Sequence, residues 1–157
     1  MAIGEYTRAI QVNPNHAKAY FRRAFSYNKL DQTQNAITDY TKTIEISSEW
    51  DADAYNNRGI SYRKLGQHQT AINDYTKAIQ LDPDYADAYL NRGVSYHNQT
   101  PRQYATAIND YTKAIQIGGN YDALSYDNRG LAYRSLGQPT LADADKTMAC
   151  SLDSQYC

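Results

Sequence analysis

The sequence predicts an all-α protein built as a row of helix-turn-helix units, and three observations carry that reading. A nine-residue string, Ala36-Ile-Thr-Asp-Tyr-Thr-Lys-Thr-Ile44, returns as Ala71-Ile-Asn-Asp-Tyr-Thr-Lys-Ala-Ile79 and Ala107-Ile-Asn-Asp-Tyr-Thr-Lys-Ala-Ile115, at steps of 35 and 36 residues. A second string interleaves with it, as Tyr55-Asn-Asn-Arg-Gly59, Tyr89-Leu-Asn-Arg-Gly93 and Tyr126-Asp-Asn-Arg-Gly130. The 157 residues hold 16 Tyr beside 2 Phe, 1 Trp, 8 Gly and 4 Pro, as expected when a few residue types recur at set places and turn punctuation is sparse.

Each helix follows in order. Ala2-Ile-Gly-Glu-Tyr-Thr-Arg-Ala-Ile10 is a copy of the first string without a partner before it, so residues 1–14 form half a unit. The next unit, about 17–50, pairs a looser Tyr20-Phe-Arg-Arg-Ala24 helix with the helix of Ala36–Ile44. In the third, about 52–85, Tyr55, Gly59 and Tyr62 share one face at i, i+4 and i+7, and Lys64-Leu-Gly-Gln67 makes the turn. The second helix then places Ala71, Ile72, Tyr75, Ala78 and Ile79 at i, i+1, i+4, i+7 and i+8, one amphipathic face.

The fourth unit, about 86–121, spans 11 residues from Tyr96 to Ala107 where the third spans 9 from Tyr62 to Ala71, so its turn around Thr100–Tyr104 carries two extra residues. The fifth, about 123–157, pairs Tyr126, Gly130 and Tyr133 with a degenerate helix from Ala142. There Asp143 replaces the recurring Ile and Lys146 the recurring Tyr, changes that suit an array's polar end. Pro14 and Pro83 end their units. Ser48 and Gly118-Gly119 take the proline's place elsewhere, with links one residue longer that should alter stacking locally.

Two recurrences need a physical cause. Glycine inside a helix costs about 1 kcal/mol relative to alanine, so its return at 59, 93 and 130 predicts close helix-to-helix approach. Arg23, Arg58, Arg92 and Arg129 are each followed by Asp39, Asp74, Asp110 or Asp145 on the next helix, which predicts a structural ion pair in every unit. Tyrosine falls at 20, 55, 89, 126, at 27, 62, 96, 133 and at 6, 40, 75, 111. These 12 of the 16 are therefore packing residues, not a cofactor site.

These residues resemble the tetratricopeptide repeat, a helix-turn-helix of about 34 residues with aromatic, Gly/Ala, Tyr, Ala, aromatic, Ala and Pro at set positions. The third unit matches at Tyr55, Gly59, Tyr62, Ala71, Tyr75, Ala78 and Pro83. The Asn-Arg-Gly variant looks like arrays common in bacteria. The resemblance implies a single domain over 1–157, a right-handed superhelical solenoid of about four and a half units, with a concave groove lined by the first helices.

Function, as the resemblance implies, is protein–protein interaction in that groove, where an extended peptide or a partner's helix is held. Its inward residues are Lys18, Arg22, Phe25 and Asn28, then Asp53, Asn57, Ile60 and Arg63, then Asp87, Asn91, Val94 and His97, then Leu124, Asn128, Leu131 and Arg134. Phe25, Ile60, Val94 and Leu131 form an apolar floor, and Asn57, Asn91 and Asn128 a ladder able to donate to and accept from a peptide main chain. The alternative for the ladder is plain solvation of a helix face. Some family members grip a terminal carboxylate with Lys and Asn from successive units; here Asp53, Asp87 and Leu124 stand where the lysine would sit, so no such clamp is expected. A second function is self-assembly through the first helix, whose Ile3, Tyr6 and Ile10 lack their usual cover, unless a longer array continues upstream.

Other classes find little support. Sixteen Lys+Arg against 17 Asp+Glu offer no basic field for nucleic acid, and no apolar run approaches a membrane span. His16, His68 and His97 are dispersed, and no metal-ligand string, nucleophile elbow or phosphate loop occurs, so neither an enzyme nor a cofactor is expected. Cys150 and Cys157 are expected as free thiols in a cytoplasmic protein. They would bridge if the tail folds back on the last helix and the protein is exported, and the compartment stays open.

Overall fold

The computed structural model describes residues 2–157, and the chain divides into two compact units, the first ending at Pro83 and the second running Asp84–Cys157. Among the described residues there are nine α-helices. The first unit holds α1 (Ala2–Val12), α2 (Ala17–Lys29), α3 (Thr33–Ile46), α4 (Asp51–Lys64) and α5 (His68–Leu81). The second holds α6 (Ala86–Asn98), α7 (Tyr104–Ile117), α8 (Asp122–Ser135) and α9 (Pro139–Leu152). No strand occurs among these residues, so the all-α expectation holds.

Short turns force consecutive helices to lie side by side, and each packs on its neighbours in sequence: α1 on α2, α2 on α3, α3 on α4 and α4 on α5 in the first unit, α6 on α7, α7 on α8 and α8 on α9 in the second. Three of these turns share one geometry. Asp31, Gly66 and Gly137 take positive φ of 54°, 73° and 72°, and the backbone N–H of the following glutamine donates to the carbonyl of a tyrosine five residues back, Gln32 to Tyr27 at 2.9 Å, Gln67 to Tyr62 at 3.0 Å and Gln138 to Tyr133 at 3.0 Å. Left-handed backbone favours glycine, with aspartate tolerated, which explains the residues found. The longer α6–α7 turn keeps the same closing bond, Gln103 N–H to Tyr96 O at 3.0 Å, and bulges its two extra residues outward around a cis Thr100–Pro101 bond.

Small residues sit where helices touch and tyrosines fill between them. Phe21, Ala24, Ala36, Tyr40 and Ala54 form the core of α2, α3 and α4, with Tyr27, Ile44 and Trp50 against it. Leu90, Ala107, Tyr111, Ala114 and Ala132 do the same for α6, α7 and α8. Tyr40, Tyr75 and Tyr111 are wholly buried.

The recurring glycine has a more specific cause than close helix approach. A Cβ on Gly59 would stand 2.6 Å from Cε1 of Tyr75, and one on Gly93 would stand 2.7 Å from Cε1 of Tyr111, so each glycine seats a tyrosine ring of the next helix. Only Gly130, where Lys146 replaces that tyrosine, meets backbone, the Ala142 carbonyl at 3.1 Å.

The tail corrects the expectation of free thiols. Residues Ser154–Tyr156 form a 3-10 turn folded back on α9, and Cys150 and Cys157 are joined as a disulfide. The Asp153 carboxylate accepts the Gln155 backbone N–H at 3.0 Å, as the Asn13 side chain accepts Asn15 N–H at 3.0 Å and Ser47 Oγ accepts Glu49 N–H at 3.3 Å. The tail thus repeats the turn that leads from one unit into the next.

Candidate functional site

The first helices of each unit are held in place by a repeated arginine. Arg23 Nε and Nη2 donate to Asp39 at 2.7 and 2.9 Å, and Arg58 donates to Asp74 at 2.8 and 2.9 Å. Arg92 donates to Asp110 at 2.8 Å twice, and Arg129 to Asp145 at 2.8 and 2.7 Å. A third donor reaches the helix before: Arg23 Nη1 to Thr7 at 3.1 Å, Arg58 Nη1 to Thr41 at 3.0 Å and Arg129 Nη1 to Thr112 at 3.0 Å. Each guanidinium also stacks on tyrosine, as Arg58 does 5.3 Å from the centre of Tyr55 and 6.0 Å from Tyr62.

The aspartates are buried, and for Arg23, Arg58 and Arg129 the hydrogen bond to the carboxylate raises the guanidinium above its ordinary range against opposing burial. These rows are structural, and their arginines are committed to the scaffold.

What they leave on the first helices of the first unit is a face of mixed character. On α2, Lys18, Arg22 and Phe25 are exposed, Phe25 by 42%, and Lys29 Nζ lies 4.8 Å over the Phe25 ring. Asn28, expected to face inward, is engaged instead with α4: its Nδ2 donates to Ser61 Oγ at 2.8 Å, and Ser61 Oγ donates to its Oδ1 at 3.1 Å. Lys64 ties the same corner, donating to Asn28 O at 3.0 Å and to Asp31 at 2.9 Å. On α4, Asn57, Ile60 and Arg63 are half-buried.

In the second unit Val94 packs against the core of α6, α7 and α8, while Leu131 stays 48% exposed. Asn91 and Asn128 are half-buried. His97 meets Tyr104 edge-on at 5.0 Å, and Arg102 Nη1 donates to the Tyr104 hydroxyl at 3.0 Å. Burial lowers the His97 pKa, with the charge of Arg102 adding to the effect. Arg134 pairs with Asp143 at 2.9 Å. Asp143 therefore does what the recurring isoleucine does not, holding an exposed arginine of α8.

Sequence reasoning passed over the Trp50 region. Ser48–Trp50 form a 3-10 turn ahead of α4, Trp50 lies 5.2 Å from Phe21, and a recess of about 370 Å³ opens beside it, lined by His16, Ala17, Lys18, Ile46, Glu49 and Trp50 among others. The one tryptophan of the chain was the available signal. On the first helix, Ile3, Tyr6 and Ile10 are half-buried and Val12 is 88% exposed. Among the described residues no cluster of three or more His, Cys, Asp or Glu could hold a metal ion, and no helix is long and apolar enough to cross a membrane.

Comparison with known proteins gives the geometry a family. A profile described as tetratricopeptide repeat matches residues 5–38, and one described as TPR repeat matches residues 59–99. A crystal structure of MamA is similar with a TM-score of 0.85 and 25% identity, covering 98% of this chain and 87% of its own. The second TPR of Spaghetti (RPAP3), bound to the HSP90 peptide SRMEEVD, is 30% identical with a TM-score of 0.61, covering 66% of this chain and 93% of its own. The TPR protein YrrB, whose structure is described as having an unusual peptide-binding site, shares the fold at 18% identity and a TM-score of 0.77, over 97% of this chain and 76% of its own. With these profile matches, and with the likeness to solved TPR structures over nearly the whole chain, the chain belongs to the tetratricopeptide repeat family.

Proposed function

We propose that this chain is a non-catalytic protein-interaction module that holds an extended peptide or short helix of a partner on the first-helix faces of its units. The observation that carries this reading is the division of labour on those helices. Arginine, aspartate and tyrosine are spent on the scaffold, while Phe25 and Leu131 present large apolar surface and the Asn57 and Asn128 side chains make no hydrogen bond among the described residues. An uncommitted amide offers both donor and acceptor to a passing main chain, and apolar neighbours supply the contact area. The peptide-bound RPAP3 repeat and the peptide-binding site of YrrB support the reading by likeness.

Two double variants test it. Phe25→Ala with Asn57→Ala in the first unit, and Asn128→Ala with Leu131→Ala in the second, should weaken capture of selected peptides by about tenfold or more and leave helicity unchanged. Undiminished capture by both would sink the reading.

A second reading is favoured by α1, which packs on α2 and leaves Val12 exposed. Its half-buried Ile3, Tyr6 and Ile10 would then form an interface between copies. Light scattering after size exclusion decides it: an oligomer that dissociates on Ile3→Asp with Ile10→Asp supports assembly, and a concentration-independent monomer excludes it.

A further inference from the structure

Among the described residues, eight of the chain's 16 Lys and Arg stand in ion pairs. Besides the four buried Arg–Asp pairs, Lys42 pairs with Glu45, Lys64 with Asp31, Arg134 with Asp143 and Lys146 with Asp127. Among the described residues Lys18, Arg22 and Lys29 on α2 are exposed and make no ion pair or hydrogen bond; Arg8 on α1 and Lys113 on α7 share that state singly, whereas α2 carries three such cations. With Phe25 they fall at i, i+4, i+7 and i+11, a single stripe along one helix. At its N-terminal end Lys18 lines the recess of about 370 Å³ beside Trp50, and near its C-terminal end Lys29 stands over the Phe25 ring.

We infer that this stripe takes an acidic internal segment of a partner protein, with one bulky apolar side chain seated in the Trp50 recess. The inference rests on the interaction reading above and names the chemistry of the partner. From Lys18 to Lys29 the helix rises about 16 Å at about 1.5 Å per residue, the length of about five residues of extended chain. Three cations over that distance suit a run of Asp or Glu at alternate places, and Phe25 between them suits an apolar contact. Glu49 on the rim of the recess is an acid beside the Lys18 end of the row, so the favoured segment carries its charge over α2 and its apolar residue toward Trp50. The chain as a whole is nearly neutral, so the attraction is local and a long polyanion gains little beyond the stripe.

The experiment selects short random peptides, displayed with both ends fused so that no terminal carboxylate is free, against the full chain. The expected outcome is enrichment of peptides with several Asp or Glu beside an aromatic residue or leucine. Binding of the leading peptide should fall by about tenfold or more in Lys18→Glu with Arg22→Glu, weaken as salt rises, and shift the emission of Trp50, the one tryptophan. Selected peptides without acidic bias, or binding undiminished by the charge reversal in a protein of unchanged circular dichroism, overturn the inference and leave the interaction reading standing. No selected peptide at all sinks both. An unchanged Trp50 emission at saturation overturns the seating in the recess. Tighter binding of oligothymidylate or of phosphatidylserine vesicles than of the leading peptide overturns it in favour of a polyanion.

Discussion

Arg58 shows what one residue does in this fold. It donates twice to a buried carboxylate on the next helix, once to Thr41 on the helix before, and lies between two tyrosine rings. Arg58→Ala would leave Asp74 buried without a partner, and breaking a buried pair in this way costs about 3–5 kcal/mol. The melting temperature should drop by about 6–20 °C at about 2–4 °C per kcal/mol, and Arg92→Ala should behave alike. Arg58→Lys should recover little, because an ammonium cannot span both oxygens. Unchanged melting in all three would refute the structural role. The pairs were legible in the sequence because Arg and Asp recur in step, but the third donor to threonine was not, since that contact joins helices of different units.

His97 sets a second prediction at this scale. Its folded pKa is lowered by burial and then by Arg102, so between that value and the unfolded value of about 6.5 the unfolded chain binds the extra proton. Stability therefore rises with pH across that window and is lost as pH falls through it. Thermal melts at pH 7.5 and pH 5.5 should differ more for the wild type than for His97→Gln, and equal differences would count against it.

At the scale of the element, the glycines of α4 and α6 set the seat of the next helix. Gly59→Ala places a methyl 2.6 Å from a ring that is wholly buried, so overpacking of about 1–3 kcal/mol should outweigh the gain of about 1 kcal/mol in helix propensity. Gly4→Ala in α1 meets nothing within 4 Å and should stabilise by up to about 1 kcal/mol. Chemical denaturation of the two variants checks the sign of each. The sequence announced that these glycines matter, and a helix-to-helix explanation was the simplest one available. The structure refines it: a ring of the next helix makes the close approach at Gly59 and Gly93 and backbone makes it at Gly130, because which group a neighbour presents depends on the residue the next helix brings opposite. The helix spans themselves were well marked, since periodicity is a local property and each helix obeys it alone.

For the whole molecule, stability is a sum over neighbours, because α1 rests on α2 and α9 on α8 and the bridged tail. Hydrogen exchange should therefore be fastest in α1. Reduction of Cys150–Cys157, or Cys157→Ser, should speed exchange over residues 150–157 while leaving the core of α6, α7 and α8 protected. A bridge closing so short a loop contributes at most about 2–3 kcal/mol, and the gain is confined to the turn it pins. Loss of protection throughout the chain on reduction would contradict this neighbour-by-neighbour account.

The sequence by itself determined the repeat, the helix pairs, the Arg–Asp partnership and the family, because all of these are written as spacing along one chain. Of the candidate site it showed which residues stand at the recurring positions of the first helices. The tertiary structure decided how those residues are used. It engaged Asn28 with Ser61 and Arg134 with Asp143, folded the tail so that Cys150 meets Cys157, and opened the recess beside Trp50 at the Lys18 end of the exposed α2 stripe. Those outcomes turn on which side chains from separate helices arrive within a few ångströms of one another, and periodicity, which acts within one helix at a time, carries no record of that.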